Sequence, residues 1–298
     1  MINILMSTYN GAKYITQQLD SIFTQQYSDY KLYVRDDGSS DETLNILYEY
    51  QKQLNEPDKM VICKGENIGF CKSFFQLLSM SNEGEYWAFC DQDDVWYDNK
   101  LGRAAKWLQQ QDDTIPLLYH SGIMFADKDL NPKGVYRIKN YNYDFQKALT
   151  SNVFYGFSMV INSQMRNCLL QCDSNEILYH DWFAAIIATG FGKYYFSDEV
   201  DSVHRIHETN TSPTSIIKKL PLIKKLFTDD LFYTRNAIEF KKHFYDNLNI
   251  DEQELLDLFD VRVNKWKKAI TKAFYYKRWN PRLLEEIGMR FFMLLGKI

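Results

Sequence analysis

Apolar and polar positions follow a regular order in the first 125 residues of the chain. Short apolar runs, which predict buried strands, alternate with stretches whose apolar residues recur every three or four positions, which predict amphipathic helices. The predicted strands cover residues 2–7, 31–36, 60–63, 86–90 and 116–125, and the predicted helices cover residues 12–25, 41–54, 70–81 and 98–111. Because a strand followed by a helix recurs four times, we expect an α/β fold with a mostly parallel sheet and helices on both faces.

The pattern changes after residue 126. We expect a hairpin near 127–134, an apolar run at 153–161, a helix from about 180 to 190 and short strands before His204. After Pro213 the periodic apolar positions predict helices over 216–227, 231–248, 252–275 and 282–295. The sequence therefore predicts an α/β domain at 1–215 and an all-helical region at 216–298.

Composition narrows the class of protein. With 45% hydrophobic and 25% charged residues, the chain is typical of a folded globular protein and not of a disordered one. The net charge of −4 argues against nucleic acid as the main partner. Because the five cysteines form no C-x-x-C pair, and because no apolar run reaches the roughly 18 residues that a bilayer requires, we expect reduced thiols and a cytoplasmic location.

Three aspartates follow the predicted strand at 86–90. Asp91, Asp93 and Asp94 stand in DQDDVW, at the edge of the sheet where parallel α/β folds bind ligands. Carboxylates held together repel one another unless a cation relieves them, and Mg²⁺ or Mn²⁺ takes oxygen ligands from carboxylates and substrate phosphates. The alternative is an acidic helix start in which Asp94 or Asp98 is the cap, but a cap accounts for one aspartate and not for three.

Three further polar turns fall at the same edge of the predicted sheet. In DDGSSDE (36–42), Gly38 permits a tight turn before a helix, and a buried aspartate there is also suited to accept the imide N–H of a pyrimidine. STYNG (7–11) and GENIGF (65–70) offer backbone N–H groups to a base or a phosphate, or are turns only.

Two later clusters contain ionisable side chains. HDW (180–182) opens a predicted helix, so Asp181 is either a helix cap or a reactive carboxylate. HRIH (204–207) ends a predicted strand, and alternation there places Arg205 and His207 on one face, from which they could reach a diphosphate and its metal. The alternative for either histidine is a partly buried side chain with satisfied hydrogen bonds.

In their order and spacing these motifs resemble those of the inverting glycosyltransferases of family 2, which have the GT-A fold, a Rossmann-like and mostly parallel sheet flanked by helices. The resemblance covers about residues 1–212 and rests on STYNG, DDGSSDET, NIGF, DQDD, HDW and HRIH. The spelling DQDDVW followed by HDW further resembles the bacterial rhamnosyltransferase branch, whose donor is dTDP-L-rhamnose. The rest of the chain lies outside the family pattern.

The resemblance implies a role for each motif. Asp181 would be the general base that activates an acceptor hydroxyl, and the hydroxyl would displace a nucleoside diphosphate from the sugar in one step. The implied ligands of Mn²⁺ or Mg²⁺ are Asp93, Asp91 and His207. The implied nucleotide-sugar-binding residues are Ser7, Tyr9, Asn10, Asp36, Asp37, Asn67, Gly69, Asp91 and Arg205. Among these, Asp37 and secondarily Asp36 would hold the pyrimidine.

The implied function is metal-dependent transfer of L-rhamnose from dTDP-rhamnose onto a cell-surface glycan or a lipid-linked oligosaccharide, in bacterial polysaccharide or cell-wall biosynthesis. A UDP-hexose or UDP-N-acetylhexosamine donor on the same fold is the alternative. A nucleotidyltransferase would carry a basic, glycine-rich triphosphate loop, whereas STYNG is followed by its first basic residue only at Lys13. The intact carboxylates argue against an inactive sugar-binding or scaffold protein.

The C-terminal part of the chain is basic and aromatic. Residues 216–298 hold 17 Lys and Arg against 11 Asp and Glu, whereas residues 1–215 hold 18 against 28. A basic aromatic helix can lie on an anionic membrane surface, which would make the protein peripheral on the inner face of the cell membrane. The alternatives are an ordinary packed helix with a solvated basic face and a contact within a homo-oligomer.

Overall fold

The computed structural model describes residues 1–139, 141–207, 224–225, 227–229, 231–280 and 283–298. Its strands are β1 (Ile2–Thr8), β2 (Tyr30–Asp36), β3 (Met60–Lys64), β4 (Tyr86–Cys90), β5 (Val95–Trp96), β6 (Leu117–Ala126), β7 (Pro132–Tyr136), β8 (Met159–Asn162) and β9 (Lys193–Arg205). Its helices are α1 (Ile15–Phe23), α2 (Thr43–Gln53), α3 (Phe70–Met80), α4 (Lys100–Leu108), α5 (Phe145–Ala148), α6 (Ser163–Leu170), α7 (His180–Gly190), α8 (Arg235–Phe244), α9 (Ile250–Asp257), α10 (Lys265–Ala273) and α11 (Leu283–Leu294).

All nine of these strands form one sheet in the order β3-β2-β1-β4-β8-β6-β9-β5, with β7 paired to β6. The pairs β1–β2, β2–β3, β1–β4 and β6–β9 are parallel, whereas β8 lies antiparallel between β4 and β6. Six of the nine strands therefore share one direction, which confirms the predicted mostly parallel sheet.

The short strands expected before His204 are one continuous strand, β9, of 13 residues. The polar residues 197–199 interrupt the apolar pattern of the sequence. In the structure they lie where the register between β9 and β6 shifts. A Cβ on Gly122 would lie 3.0 Å from the carbonyl oxygen of Glu199, so the close approach of the two strands depends on this glycine.

Apolar side chains cover both faces of the sheet. Helices α1, α2 and α4 contribute Leu19, Leu47 and Leu101 to the core on one face. On the opposite face α3 and α7 contribute Phe74 and Phe183. The same second core contains Phe240 and Met293 from the C-terminal helices and Trp279 from the segment between α10 and α11, so this region packs directly on the α7 face.

The described part of the C-terminal region contains helices and no strands, as predicted. The expected helix over 252–275 is divided into α9 and α10, because Asn264 has a left-handed backbone with φ of 56° and Asp260 binds Arg262 and Lys241 between the two helices. The expected boundary near residue 215 and most of the expected helix at 216–227 lie outside the described residues. Within the described part of the chain, every helix is too short or too polar to span a membrane.

Candidate active site

The polar turns after β1 to β4 meet around a cavity of about 2000 Å³ at the carboxyl edge of these strands. The predicted site residues that line it are Ser7, Tyr9, Asn10, Asp37, Asn67, Gly69, Asp91, Asp93, Asp181 and His207. Asp36 and Arg205 are not among its lining residues. The carboxylates predicted for the metal and for the base therefore face one common space.

Pairing between β5 and β9 brings the two ends of the predicted metal site together. β5 follows directly on Asp94, and its Val95 lies opposite Val203 of β9. His204 Nδ1 consequently lies 2.8 Å from Asp94 Oδ1, and His207 Nε2 lies 2.7 Å from Asp93 Oδ2. Two of the three aspartates are thus each bound by a histidine more than 100 residues away in sequence.

The ionisable side chains of the acidic corner, which we define as residues 91–94, 204 and 207, shift one another's pKa values. Burial raises the pKa of Asp91, and repulsion by Asp94 and Asp93 raises it further. Burial also raises the pKa of Asp94, although His204 opposes this rise. Burial disfavours a charged imidazole, but the carboxylates of Asp94, Asp91 and Asp93 together outweigh it and raise the pKa of His204 to about 9. Without a cation, a proton on His204 thus compensates part of the negative charge at neutral pH, and this proton must leave before the imidazole can bind a metal.

The donor set in the corner fits a divalent cation. Asp91, Asp94 and His204 each offer one ligand atom, and these three atoms lie within 4.8 Å of one another. In addition, Asp94 Oδ2 is buried without a hydrogen-bond partner, which is costly for a carboxylate oxygen. Carboxylate ligands suit Mn²⁺ and Mg²⁺, whereas imidazole is a ligand of transition metals, so the mixed donor set favours Mn²⁺ over Mg²⁺. Asp94 and His204 were not predicted as ligands, because their proximity depends on the pairing of β5 with β9.

The expected position of Arg205 is wrong. Its guanidinium is buried away from the cavity and donates to the carbonyl oxygens of Asp93 at 2.9 Å and Lys128 at 2.6 Å and to Gln17 Oε1 at 2.7 Å. It also covers the ring of Tyr14 at 4.5 Å. Because β9 ends at Arg205, alternation does not continue beyond it, and His204 shares the cavity with His207 instead.

The alternative interpretation, in which Asp94 or Asp98 caps the next helix, does not hold. Helix α4 begins after Asn99, which is its N-cap residue and makes no side-chain capping bond. Asp98 instead accepts a hydrogen bond from Gln26 at 2.7 Å. The carboxylate of Asp94 is therefore committed to the acidic corner.

Asp36 holds the first two turns against each other. It is fully buried and accepts hydrogen bonds from Thr8 Oγ1 at 3.0 Å and from the Ser39 N–H at 2.9 Å. Asn10, with a left-handed φ of 49°, accepts from the Ser40 N–H at 2.9 Å. A pyrimidine contact predicted for Asp36 is thus replaced by a supporting position behind the cavity wall.

Asp37 lies in the cavity wall and organises the third turn. Its carboxylate accepts the backbone N–H groups of Ile68 and Gly69, each at 2.9 Å, and forms an ion pair with Arg35. Arg35 also donates to Gln76 at 2.6 Å and to the carbonyl of Glu66 at 3.0 Å. The role of Arg35 at this site was not predicted, although a basic residue within the apolar run KLYVRD indicates a buried charge.

We expect Arg35→Met to lower the free energy of unfolding by about 3–5 kcal/mol, because it leaves the carboxylate of Asp37 buried without its cation. Both side chains of the pair are less than 5% exposed. Denaturant unfolding measures the effect, with Lys31→Met on the same strand as the charge-matched control. Adding Asp37→Asn to Arg35→Met should recover part of the loss, and a loss below about 1 kcal/mol in the single variant would contradict the assignment.

Asp181 lies in the first turn of α7 and faces the cavity. Its carboxylate accepts the Trp182 N–H at 2.7 Å, together with hydrogen bonds from Asn152 and from the backbone of Gly156. Burial outweighs these hydrogen bonds and raises the pKa of Asp181 to about 6. The N-cap residue of α7 is Tyr179, so capping does not explain this carboxylate.

His180, beside Asp181, is a buried neutral side chain. Burial lowers its pKa to about 3, and neither ring nitrogen has a hydrogen-bond partner. Its ring contacts those of Phe74 and Phe89, with centroids 4.5 and 4.7 Å away. A Cβ on Gly156 would lie 2.7 Å from His180 Nε2, so this glycine allows the tight packing behind Asp181.

Solved structures with a similar arrangement of sheet and helices include TarS of S. aureus and a mannosyltransferase. S. aureus TarS 1–349 superposes with a TM-score of 0.59 at 18% identity, covering 99% of this chain and 79% of that one. The mannosyltransferase PcManGT of Pyrobaculum calidifontis, solved with GDP-Man and Mn²⁺, has a TM-score of 0.52 at 15% identity, covering 99% and 85%. This likeness defines the fold as GT-A.

Sequence comparison gives the family. Residues 3–170, more than half of the chain, match the family described as "Glycosyl transferase family 2". The protein belongs to that family. The dTDP-rhamnosyl transferase RfbG of Shigella flexneri is 28% identical over 258 residues, which are 78% of this chain and 84% of that protein. An uncharacterized glycosyltransferase of Rickettsia prowazekii is 27% identical over 226 residues, 72% and 67% of the two chains. The activity of the protein is glycosyl transfer.

Proposed function

We propose that the protein transfers a sugar with inversion from a pyrimidine nucleoside diphosphate to a hydroxyl acceptor, with a divalent cation in the acidic corner and Asp181 as the base. The observation that carries this proposal is the shared cavity, which Asp91, Asp93 and the carboxylate of Asp181 all line. Inversion requires attack from the side opposite the leaving group, so the base and the cation have to act from different sides of the sugar. The aspartates after β4 and Asp181 in α7 come from different elements of the fold.

In this proposal the residues around the cavity divide into two groups. The turns that contain Ser7, Tyr9, Asn67 and Gly69 bind the nucleotide, and Asp37 holds the last of these turns in place. At the other end Asp181 accepts the proton of the acceptor hydroxyl as the new bond to the sugar forms. Its raised pKa of about 6 makes it a stronger base than an exposed aspartate while leaving it ionised at neutral pH.

Asp91, Asp93 and Asp94, with His204 and His207, would hold the cation, Mn²⁺ or Mg²⁺. When bound it would act as a Lewis acid toward the negative charge of a departing diphosphate. His204 and His207 fix the orientation of Asp94 and Asp93 by the hydrogen bonds described above. The cation bound by PcManGT supports this part of the proposal only through a common fold.

We propose dTDP-L-rhamnose as the first donor to test, because RfbG is named as a dTDP-rhamnosyl transferase and aligns over most of both chains. A UDP-hexose or UDP-N-acetylhexosamine is the second, since TarS has been solved with UDP-GlcNAc at a TM-score of 0.53. The acceptor would be a bacterial cell-surface glycan or a lipid-linked oligosaccharide. Residues 1–215 would form the transferase domain, and residues 216–298 would provide the contact with a membrane surface or a second subunit.

A donor panel tests the proposal. The protein is incubated with Mn²⁺ and with dTDP-rhamnose, UDP-glucose, UDP-GlcNAc or GDP-mannose, and free nucleoside diphosphate is measured. Release of dTDP or UDP is the expected result, and the base identifies the donor class. Release of pyrophosphate would indicate a nucleotidyltransferase, whereas tight binding of a sugar nucleotide without release under every condition would indicate a sugar-binding protein.

A further inference from the structure

The helices at the C-terminus leave an unusually apolar surface uncovered. α10 and α11 pack against each other in antiparallel order, since Gly296, just after α11, lies beside Trp266 near the start of α10. Eleven large apolar side chains on this pair and its flanks are more than one third exposed. They are Val263, Trp266, Ile270, Phe274, Tyr276, Leu283, Leu284, Ile287, Phe291, Leu294 and Leu295, which together we name the C-terminal apolar face.

This surface inverts the usual order of a surface helix. Along α11 the exposed apolar positions follow a helical spacing, whereas Glu286 and Arg290 make hydrogen bonds within the protein. Glu286 is buried and accepts the N–H groups of Trp279 at 2.9 Å and Asn280 at 2.8 Å, and Arg290 donates to Glu286 and to backbone carbonyls. More than half of the exposed large apolar side chains in the described part of the chain lie in this short region. Patches of this kind mark a contact with another apolar surface.

The charges around the face favour an anionic bilayer as that surface. Residues 261–298 contain ten Lys and Arg and two Glu, and one of the two glutamates is the buried Glu286. Lys267, Lys277 and Arg278 are exposed beside the apolar side chains. Lipid phosphates attract such residues, and tryptophan and tyrosine are suited to the interface. A second copy would place one basic face against another, which is unfavourable.

The same region also forms one end of the active-site cavity. Asn280 and Glu285 line the cavity, and Leu284, directly before Glu285, is 85% exposed on the apolar face. Tyr233 is a further lining residue, and its ring packs edge-on against Trp182, next to Asp181, with centroids 5.3 Å apart. The lining of the cavity thus includes both the carboxylate of the proposed base and Glu285, the sequence neighbour of Leu284 on the C-terminal apolar face.

We infer that the C-terminal apolar face rests on an anionic bilayer, and that the cavity receives from this bilayer an acceptor whose glycan is attached to a lipid. The lipid part stays in the membrane, while the terminal sugar hydroxyl enters past Glu285 and Tyr233 to reach Asp181. This inference rests on the proposed function, because a glycosyl acceptor is required only if the cavity performs glycosyl transfer.

Vesicle flotation with the full chain tests the inference. Vesicles of phosphatidylcholine alone are compared with vesicles that also contain phosphatidylglycerol. We expect the protein to float with the anionic vesicles and at least about tenfold less with the neutral ones. The variant Leu284→Ser/Ile287→Ser/Phe291→Ser should lose the binding. The matched variant Tyr48→Ser/Met80→Ser/Ile250→Ser, with three exposed apolar side chains elsewhere, should keep it.

Two further measurements separate the outcomes. The face variant should release nucleoside diphosphate from its donor like the parent with a short soluble acceptor, but at least about tenfold more slowly with a lipid-linked acceptor in vesicles. Failure of the parent to bind anionic vesicles would overturn the inference, and a parent dimer that the face variant converts to a monomer would assign the face to a second copy. Vesicle binding without any donor turnover would instead contradict the proposed function.

Discussion

Asp181→Asn should reduce the rate of glycosyl transfer by about 10²- to 10⁴-fold while leaving the donor dissociation constant within about threefold of the parent value. The substitution removes the group that accepts the proton but retains an oxygen that can accept the Trp182 N–H. Initial rates at saturating donor measure the loss, and titration calorimetry with the nucleoside diphosphate measures donor binding. Asp173→Asn, at an exposed carboxylate before the same helix, is the control and should be fully active.

The pH profile provides a second test of the same residue. Only the ionised carboxylate can accept a proton, and the pKa of Asp181 is raised to about 6 by burial. We therefore expect kcat/KM to be level above this pH and to fall about tenfold per unit below it. Because burial disfavours the ionised form in the folded state, Asn at this position should not lower Tm at neutral pH. A residual activity in the variant with an unchanged acid limb would exclude Asp181 as the base.

The second large effect is expected at the acidic corner. Asp93→Asn should reduce the rate at a fixed Mn²⁺ concentration by at least about 10²-fold, because the charge of the leaving diphosphate would lose stabilisation. The substitution also weakens the contact with His207 Nε2, which lies 2.7 Å from Asp93 Oδ2. Chelation of divalent ions should abolish the activity of the parent, and added Mn²⁺ or Mg²⁺ should restore it.

Electron paramagnetic resonance of Mn²⁺ gives a readout that does not depend on activity. With nucleoside diphosphate present, the parent should bind one Mn²⁺ per chain more tightly than Asp93→Asn does. Asp98→Asn removes an exposed carboxylate just after β5 and should leave Mn²⁺ binding and turnover unchanged. Equal Mn²⁺ affinity in the parent and in Asp93→Asn would show that the cation is held elsewhere.

The predictable part of the fold is the part that depends on local patterns. Apart from the two-residue strand β5, the strands and helices as far as Ala126 lie where apolar periodicity places them, and their polar turns meet at one edge because parallel strands end together. β8 could not be placed from the sequence, because a strand of four residues between β4 and β6 is specified by long-range pairing. β9 was predicted as several short strands for a related reason. Its polar residues 197–199 form a bulge opposite Gly122, and this contact is not visible in the local sequence.

The same division holds for the site. Asp93 and Asp181 were predicted from local motifs, and both face the cavity. Arg35 was not predicted, and Asp94 and His204, although named in their motifs, were not predicted as ligands because their proximity depends on the pairing of β5 with β9. Arg205 was misplaced because strand alternation was extended beyond the last residue of β9. Local motifs therefore indicate which residues are candidates for the site, whereas strand pairing decides which of them lie in contact.

The histidine–aspartate pairs have a consequence for how the transferase can be divided. The stretch that matches the family, residues 3–170, contains Asp93 and Asp94 but ends before Asp181, His204 and His207. A fragment limited to that stretch would retain the acidic loop without the imidazoles that bind it and without the proposed base. We therefore expect the family segment, grafted onto another protein, to be inactive as a transferase, because α7 and β9 lie outside it.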